Sequence, residues 1–324
     1  MKKEQNKNNK LGYIPTFHFM YLHPKYWMMW IGILLLVSTV YLPITVRDLF
    51  LAKIGKLIGK LAKNTRRRAK INLLYCFPEF TEEEREKYID KMFSVAPQSF
   101  AILTELALRG AKKILVRTRW YNFEIIEKLK KQGRNIIFMV PHCWAVDIPA
   151  MLLAERGEKM AAMFHHQKNA LADYLWNKAR CSFGGRLHSR KAGIRPFIAS
   201  VKEGFWGFYL PDQDHGKKNS EFVDFFGTYK ATLPAIGRLM KACNAEIVPL
   251  FPAYDYKTHQ LYIYIRKPMR DIIGKNDRYI ARRINEEVEC LVKPYLEQYT
   301  WVLKLLKTRK LGEIEPYLRD DLYQ

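Results

Sequence analysis

The sequence holds little that would tie it together covalently or through a metal. Its five cysteines, Cys76, Cys143, Cys181, Cys243 and Cys290, are odd in number and scattered, with no CxxC pair and no Cys/His ligand spacing. Neither a disulfide framework nor a structural zinc site is indicated, and the thiols read as reduced, in a reducing compartment. Acidic residues are scarce too: 32 Asp plus Glu stand against 55 Lys plus Arg, a formal net charge of +23. Such a surplus needs polyanionic surroundings, and composition leaves nucleic acid, anionic lipid and an acidic protein partner all open. RNP, helix-turn-helix and zinc-finger signatures are absent. Internal repeats and low-complexity linkers are absent as well, and only one long uncharged run occurs in the 324 residues. A chain threaded many times through a bilayer is therefore excluded, and a single α/β domain after that run is expected.

The uncharged run begins YWMMWIGILLLVSTVY at Tyr26 and continues to Val46 before Arg47 ends it. At about 1.5 Å per residue it matches the ~30 Å hydrocarbon core, with Trp27, Trp30 and Tyr41 near its ends. The expectation is a basic tail over 1–25, a single transmembrane anchor over 26–46 and an α/β domain over 47–324, with a buried hairpin or interfacial helix broken by Pro43 as the alternative to the anchor. Positions 47–70 carry nine Lys or Arg against five in 1–25, which places the body of the protein on the cytoplasmic side. Within 47–63, Phe50, Leu51, Ile54, Leu57, Ile58 and Leu61 recur at helical spacing, bordered by Lys53, Lys56, Lys60 and Lys63. This basic amphipathic helix suits a headgroup layer or, equally by pattern, a core-facing surface; its place beside the anchor favours lipid.

Further on, Thr81 followed by Glu82, Glu83 and Glu84 marks a helix start, with helical patterning to about Leu108 and an interruption at Pro97. A second helix runs from Phe123 to Lys131. From Asn135 short apolar runs alternate with helical stretches. Strands are expected at Asn135–Val140, Met160–Phe164, Gly207–Leu210, Ile247–Phe251 and Leu261–Arg266. Helices are expected at Val146–Glu155, Ala170–Arg180, Gly193–Glu203 and Thr232–Ala242. The alternation predicts an α/β sandwich with a mixed, largely parallel sheet.

Ligands of such sheets bind beyond the carboxyl ends of the strands. Three polar segments lie in such places. In the first, an apolar strand delivers His142 to its lip, and Asp147 falls in the first turn of the next helix, from where its carboxylate is expected to fold back on the imidazole. That pairing fixes the tautomer and leaves the other nitrogen free to take a proton from a hydroxyl. No serine accompanies the pair, so the nucleophile is the substrate's own hydroxyl. The spacing alone carries little weight, since about one such match is expected by chance among eight histidines. Cys143 lacks any thiolate-stabilising neighbour and is not expected to act as a nucleophile. The second segment is Phe183 to Arg190, where Arg180, Arg186 and Arg190 surround a Gly-Gly turn and offer an anion site for phosphate or carboxylate. The third, Tyr209 to Gly216, holds Asp212, Asp214 and His215; it offers too few oxygens for a hard cation, and a positioning role is expected of it, with no metal. His165, His166 and His188 are read as structural or peripheral.

At these segments the sequence resembles the late acyltransferases of lipid A biosynthesis, within the glycerol-phosphate acyltransferase-like superfamily. The likeness runs over nearly the whole chain, including RRRAKINLLYCFPE, VPHCWAVDIPAML, FGGRLHSR, YLPDQDHG, SEFVDFFGTYKATLPAIGRLMKAC and EQYTWVLKLLKTRK. It implies that the HX4D/E pair His142 and Asp147 is catalytic, and that Arg180, Arg190 and Asp212 bind substrate or stabilise the oxyanion. It further implies transfer of a fatty acyl group, myristoyl in the branch most resembled, from acyl carrier protein as co-substrate, with no cofactor. The acceptor would be the hydroxyl of a 3-hydroxyacyl chain on a Kdo-bearing lipid A precursor, at the cytoplasmic face of the Gram-negative inner membrane. Acyl carrier protein, the lipid A precursor and anionic inner-membrane lipid then account for the charge without nucleic acid. Cys143 stands where the family is expected to have glycine. An acyltransferase acting on glycerol-phosphate or lysophospholipid is the alternative, and a basic binding protein without chemistry is the more distant rival.

Overall fold

Ile136, Ile137, Phe138 and Met139 are all fully buried, which is what a strand covered on both faces requires. The computed structural model describes residues 12–319 and 321–323; the first eleven residues of the basic tail lie outside them. The strands are β1 (Thr118–Tyr121), β2 (Asn135–Met139), β3 (Met160–Phe164), β4 (Arg186–Ser189), β5 (Trp206–Tyr209), β6 (Glu221–Phe225), β7 (Thr228–Thr232), β8 (Ala245–Asp255) and β9 (Gln260–Ile265). Seven of them form one sheet in the order β1-β9-β8-β2-β5-β3-β4, and β6 and β7 form a separate antiparallel hairpin. All neighbours in the large sheet run parallel except β8 and β9. The α/β architecture and its mostly parallel sheet are as the alternation predicts.

The helices are α1 (Trp27–Thr39), α2 (Ile44–Leu61), α3 (Lys63–Cys76), α4 (Glu82–Arg109), α5 (Lys112–Val116), α6 (Glu124–Lys131), α7 (Ile148–Glu155), α8 (Ala170–Arg180), α9 (Arg195–Lys202), α10 (Ala235–Cys243) and α11 (Asp277–Val292). A reciprocal capping box between Thr81 and Glu84 starts α4, which runs unbroken through Pro97 and stops at Gly110, with φ at +77°. The expected interruption at Pro97 does not end the helix. The apolar sides of α7, α9 and α10 meet the sheet, so Phe197, Val201, Leu152 and Ile236 join β2 and β8 in one core.

The N-terminal region departs from expectation. Among the described residues no helix is long and apolar enough to cross a membrane. The run over 26–46 makes a helix of only 13 residues, about 20 Å long, short of the ~30 Å core. Pro43 sets the break: it lacks an amide proton and restricts Leu42 before it, so the chain turns over Val40 to Leu42 and restarts as α2 with Pro43 at the cap.

α2 then packs on α4 with Arg47, Asp48, Leu51, Gly55 and Gly59 buried. A Cβ built on Gly55 would lie 2.0 Å from the Phe93 carbonyl oxygen, and one on Gly59 would lie 2.6 Å from the Phe93 ring. Only glycine permits that approach. At the same interface Asp48, fully buried, accepts from Arg47 Nε at 3.0 Å, from His259 Nδ1 at 2.8 Å and from the Tyr254 hydroxyl. Arg47 also reaches Glu105 at 2.7 Å. Of the apolar stripe Leu51 is buried, while Phe50, Leu57, Ile58 and Leu61 face outward, as do Trp27, Met28, Ile31, Leu34 and Leu35 of α1.

Candidate active site

β2 and β5 are parallel neighbours with Met139 level with Tyr209. One further bond, Val140 N–H to the Tyr209 carbonyl at 2.9 Å, carries the pairing past the strand ends. Three residues beyond each register partner stand His142 and Asp212, so the fold brings them level at the carboxyl lip of the sheet. The imidazole Nδ1 lies 2.6 Å from Asp212 Oδ1, and the His142 backbone N–H donates to Asp212 Oδ2 at 2.8 Å. The Tyr299 hydroxyl donates to the same Oδ2 at 2.7 Å. Burial works to raise the Asp212 carboxyl, but His142, Lys230 and the Tyr299 hydrogen bond outweigh it and hold it at about 2. Asp212 is thus an anion, Nδ1 carries the proton, and the lone pair sits on Nε2. The ring is 22% exposed, and no hydrogen bond to Nε2 occurs among the described residues.

Asp147 is not the carboxylate on His142. It precedes α7 without a side-chain capping bond, and its oxygens accept from Arg180 Nε at 2.9 Å, Arg180 Nη2 at 3.0 Å and Trp176 Nε1 at 2.7 Å. The backbone turns between Cys143 and Asp147, aiming the carboxylate at α8, while Nδ1 is already occupied from β5. A five-residue step fixes only where Cα lies, and the side chain goes to the fork that matches it in both oxygens. Arg180, also 5.5 Å over the Trp176 ring, is thereby fixed at the end of α8. Phe100 and Trp144 continue this aromatic wall, at 5.3 Å and 6.0 Å between centroids.

Arg190 reaches across from the end of β4 to the loop after β5, donating to Gln213 Oε1 at 2.8 Å and meeting His215 Nδ1 at 2.9 Å. Burial first, and then the positive charges of Arg190 and Lys230, push His215 down to about 4. It is neutral and accepts from the guanidinium. With neutral partners Arg190 keeps its charge for an incoming anion. Asp214 spends its oxygens on Thr308 N–H at 2.6 Å, Thr308 Oγ1 at 2.7 Å and Gly216 N–H at 2.9 Å.

Cys143 is 2% exposed, and burial, followed by the Asp212 charge, pushes its thiol well up, so it is no nucleophile. His188 is buried against the Ser200 hydroxyl at 2.9 Å, and His166 lies 2.8 Å from Asp173. Sequence reasoning missed Lys230, Trp176 and Tyr299 as parts of the site. An uncompensated lysine in the strand Thr228–Thr232 was the one available signal for the first; nothing local marks the other two.

A histidine with a free Nε2, backed by a buried carboxylate, is equipped to move a proton from a hydroxyl, and arginines held as Arg180 and Arg190 are equipped to steady negative charge. Residues 14–308 match the model of the family described as bacterial lipid A biosynthesis acyltransferase. The lipid A biosynthesis myristoyltransferase of Escherichia coli K12 is 58% identical over 319 residues, covering 98% of this chain and 99% of that protein. Lipid A biosynthesis acyltransferase 1 of Shigella flexneri is 57% identical over 319 residues, with 98% and 99% covered. Lipid A biosynthesis acyltransferase 2 of the same organism is 54% identical over 312 residues, with 96% and 99% covered. With the matched region spanning all three polar segments and Tyr299, the chain belongs to the bacterial lipid A biosynthesis acyltransferase family and is an acyltransferase.

Proposed function

We propose that the protein transfers a myristoyl chain from acyl carrier protein to the hydroxyl of a 3-hydroxyacyl chain on a Kdo-bearing lipid A precursor, with no resident cofactor. The observation that carries the chemistry is the His142–Asp212 pair with its open Nε2. Nε2 takes the proton of the acceptor hydroxyl as that oxygen attacks the thioester carbonyl. The tetrahedral intermediate forms one C–O bond; its collapse breaks the C–S bond, and the imidazolium returns the proton to the leaving thiolate. Asp212 holds the ring and stabilises its positive form. Arg180, locked by Asp147, faces the developing oxyanion, and Arg190 takes a phosphate or carboxylate of the substrates. The myristoyl choice is supported by the 58% identical myristoyltransferase, and an acidic carrier protein suits the +23 charge.

The same reading places the protein on the cytoplasmic leaflet of the inner membrane. α1 and α2 lie in the headgroup layer, with Trp27, Ile31, Leu35, Leu57 and Leu61 exposed toward acyl chains and Lys53, Lys56 and Lys60 toward anionic lipid. The decisive experiment is turnover with a series of acyl carrier protein donors and a penta-acylated acceptor. The myristoyl donor should be preferred, and His142→Ala should lose about a thousandfold or more in kcat with its fold intact. Near-wild-type turnover by His142→Ala would sink the mechanism, and equal use of glycerol-phosphate acceptors would sink the substrate.

A further inference from the structure

The segment around Tyr299 does more than fill space. Cys143 and Tyr299 form an antiparallel bridge, and Trp144 N–H donates to the Gln298 carbonyl at 3.1 Å. Thr300 N–H and Thr300 Oγ1 both donate to the His142 carbonyl at 3.0 Å. Residues 298–300 thus run as a strap along the backbone of the catalytic loop. Tyr299 itself is fully buried and edge-on to Trp301 at 4.8 Å, which leaves its phenol one direction, toward Asp212 Oδ2.

Asp212 is consequently held from every side. Tyr299 OH and His142 N–H occupy Oδ2, while the buried Lys230 ammonium donates to the Asp212 carbonyl at 2.5 Å. Only Oδ1 is left for the imidazole. Burial and the adjacent Asp212 charge push the Tyr299 phenol far above its ordinary value, so it stays protonated and remains a donor.

We propose that Tyr299 is a positioning residue of the acyl transfer: its hydroxyl pins Asp212 Oδ2 so that Oδ1 alone meets His142 Nδ1 in the geometry that aims Nε2 at the acceptor hydroxyl. This rests on His142 being the base. Without the phenol, the carboxylate is free to rotate about its last bond, and the ring it supports loses its fixed direction. A hydrogen bond to a charged group is among the stronger ones, and loss of geometry at a base appears in kcat.

The test compares Tyr299→Phe, Asp212→Asn and the double variant with the intact protein, in turnover with acyl carrier protein donor and lipid A acceptor, beside thermal unfolding. Tyr299→Phe should lower kcat about ten- to thirtyfold and leave both KM values within about twofold. Because it acts through Asp212, it should cost little on the Asp212→Asn background. Wild-type kcat in Tyr299→Phe, a change confined to KM, or a full additional loss in the double variant would each overturn the proposal. If Tyr299→Phe does not fold, Thr300→Val loosens the same strap at the His142 carbonyl; a kcat loss of about threefold at unchanged KM supports the proposal and an unchanged kcat overturns it. Turnover by His142→Ala would instead remove the reading on which it rests, so the two failures are distinct.

Discussion

The lip of the sheet and the N-terminal helix pair solve opposite problems with the same kinds of residue. At the lip, charge is buried and fully partnered: Asp212 is 1% exposed and receives donors from His142 and Tyr299. In α1 and α2 one apolar side lacks partners, with Met28 80% and Leu61 73% exposed, while α2 turns Arg47, Asp48, Gly55 and Gly59 inward beside a single buried leucine, Leu51. Residue type therefore does not decide which side of an element is covered. Close approach and hydrogen-bond satisfaction do.

The largest break in this comparison comes from separating the two carboxylates of the lip. Asp212→Asn should lower kcat by about a hundredfold or more with small changes in KM, because the imidazole loses its partner. Asp147→Asn should cost about tenfold and be mimicked by Arg180→Lys, which loses the same fork. Steady-state kinetics decides, and a larger loss at Asp147 than at Asp212 would restore Asp147 as the partner of the base.

Next in size is the glycine face. Alanine favours a helix by about 1 kcal/mol over glycine, so Gly55→Ala would stabilise an isolated helix. Here the Cβ meets the Phe93 carbonyl oxygen at 2.0 Å, and the variant should lose about 2 kcal/mol. Gly32→Ala in α1, with nothing within 4 Å of its Cβ, should have the opposite sign. Chemical denaturation of both reads the contrast, and equal effects would refute the packing described for α2.

Acid stability follows from Asp212. Its folded value of about 2 lies below the ordinary carboxyl range, so its contribution is complete above pH ~4 and is lost as pH falls toward ~2. The lost contribution is about 2 kcal/mol, and Asp212→Asn should flatten the stability curve in that window. An unchanged slope would break the assignment.

The smallest effect on stability is expected outside. Leu57→Gln, Ile58→Gln and Leu61→Gln together should change unfolding free energy by no more than about 0.5 kcal/mol each. The same triple variant should weaken co-sedimentation with anionic vesicles about tenfold or more, since those side chains would otherwise leave water. Undiminished vesicle binding would show that this face does not meet lipid.

Much of the body was legible in the sequence. Met160–Phe164 and Ala170–Arg180 end where their patterns end, and the other expected strands and helices shift by a few residues. Those elements are set by local periodicity. β1, β4 and the β6–β7 hairpin were not legible, because Thr118–Tyr121, Arg186–Ser189, Glu221–Phe225 and Thr228–Thr232 interleave charged and polar residues where β2, β3 and β5 have apolar runs. The site was half legible. His142 could be placed at a strand lip from its own neighbours, but its carboxylate depends on β2 lying beside β5 with Met139 level with Tyr209, a long-range fact that no spacing encodes. The apolar stripe of α2 was legible, but the face it packs with was not, because Gly55 and Gly59 carry no apolar side chain to mark it.

The imidazole, its carboxylate and its phenol stand at 142, 212 and 299, whereas the helices with the outward apolar side chains end by position 61. Chains leave the ribosome N-terminus first. A growing polypeptide therefore exposes α1 and α2 while most of the sheet is still unwritten, and it fixes the direction of the His142 imidazole only once position 299 has emerged. The outward apolar helices and the oriented imidazole are separated in time by the order of the sequence, so a chain cut short before Tyr299 presents the first without the second.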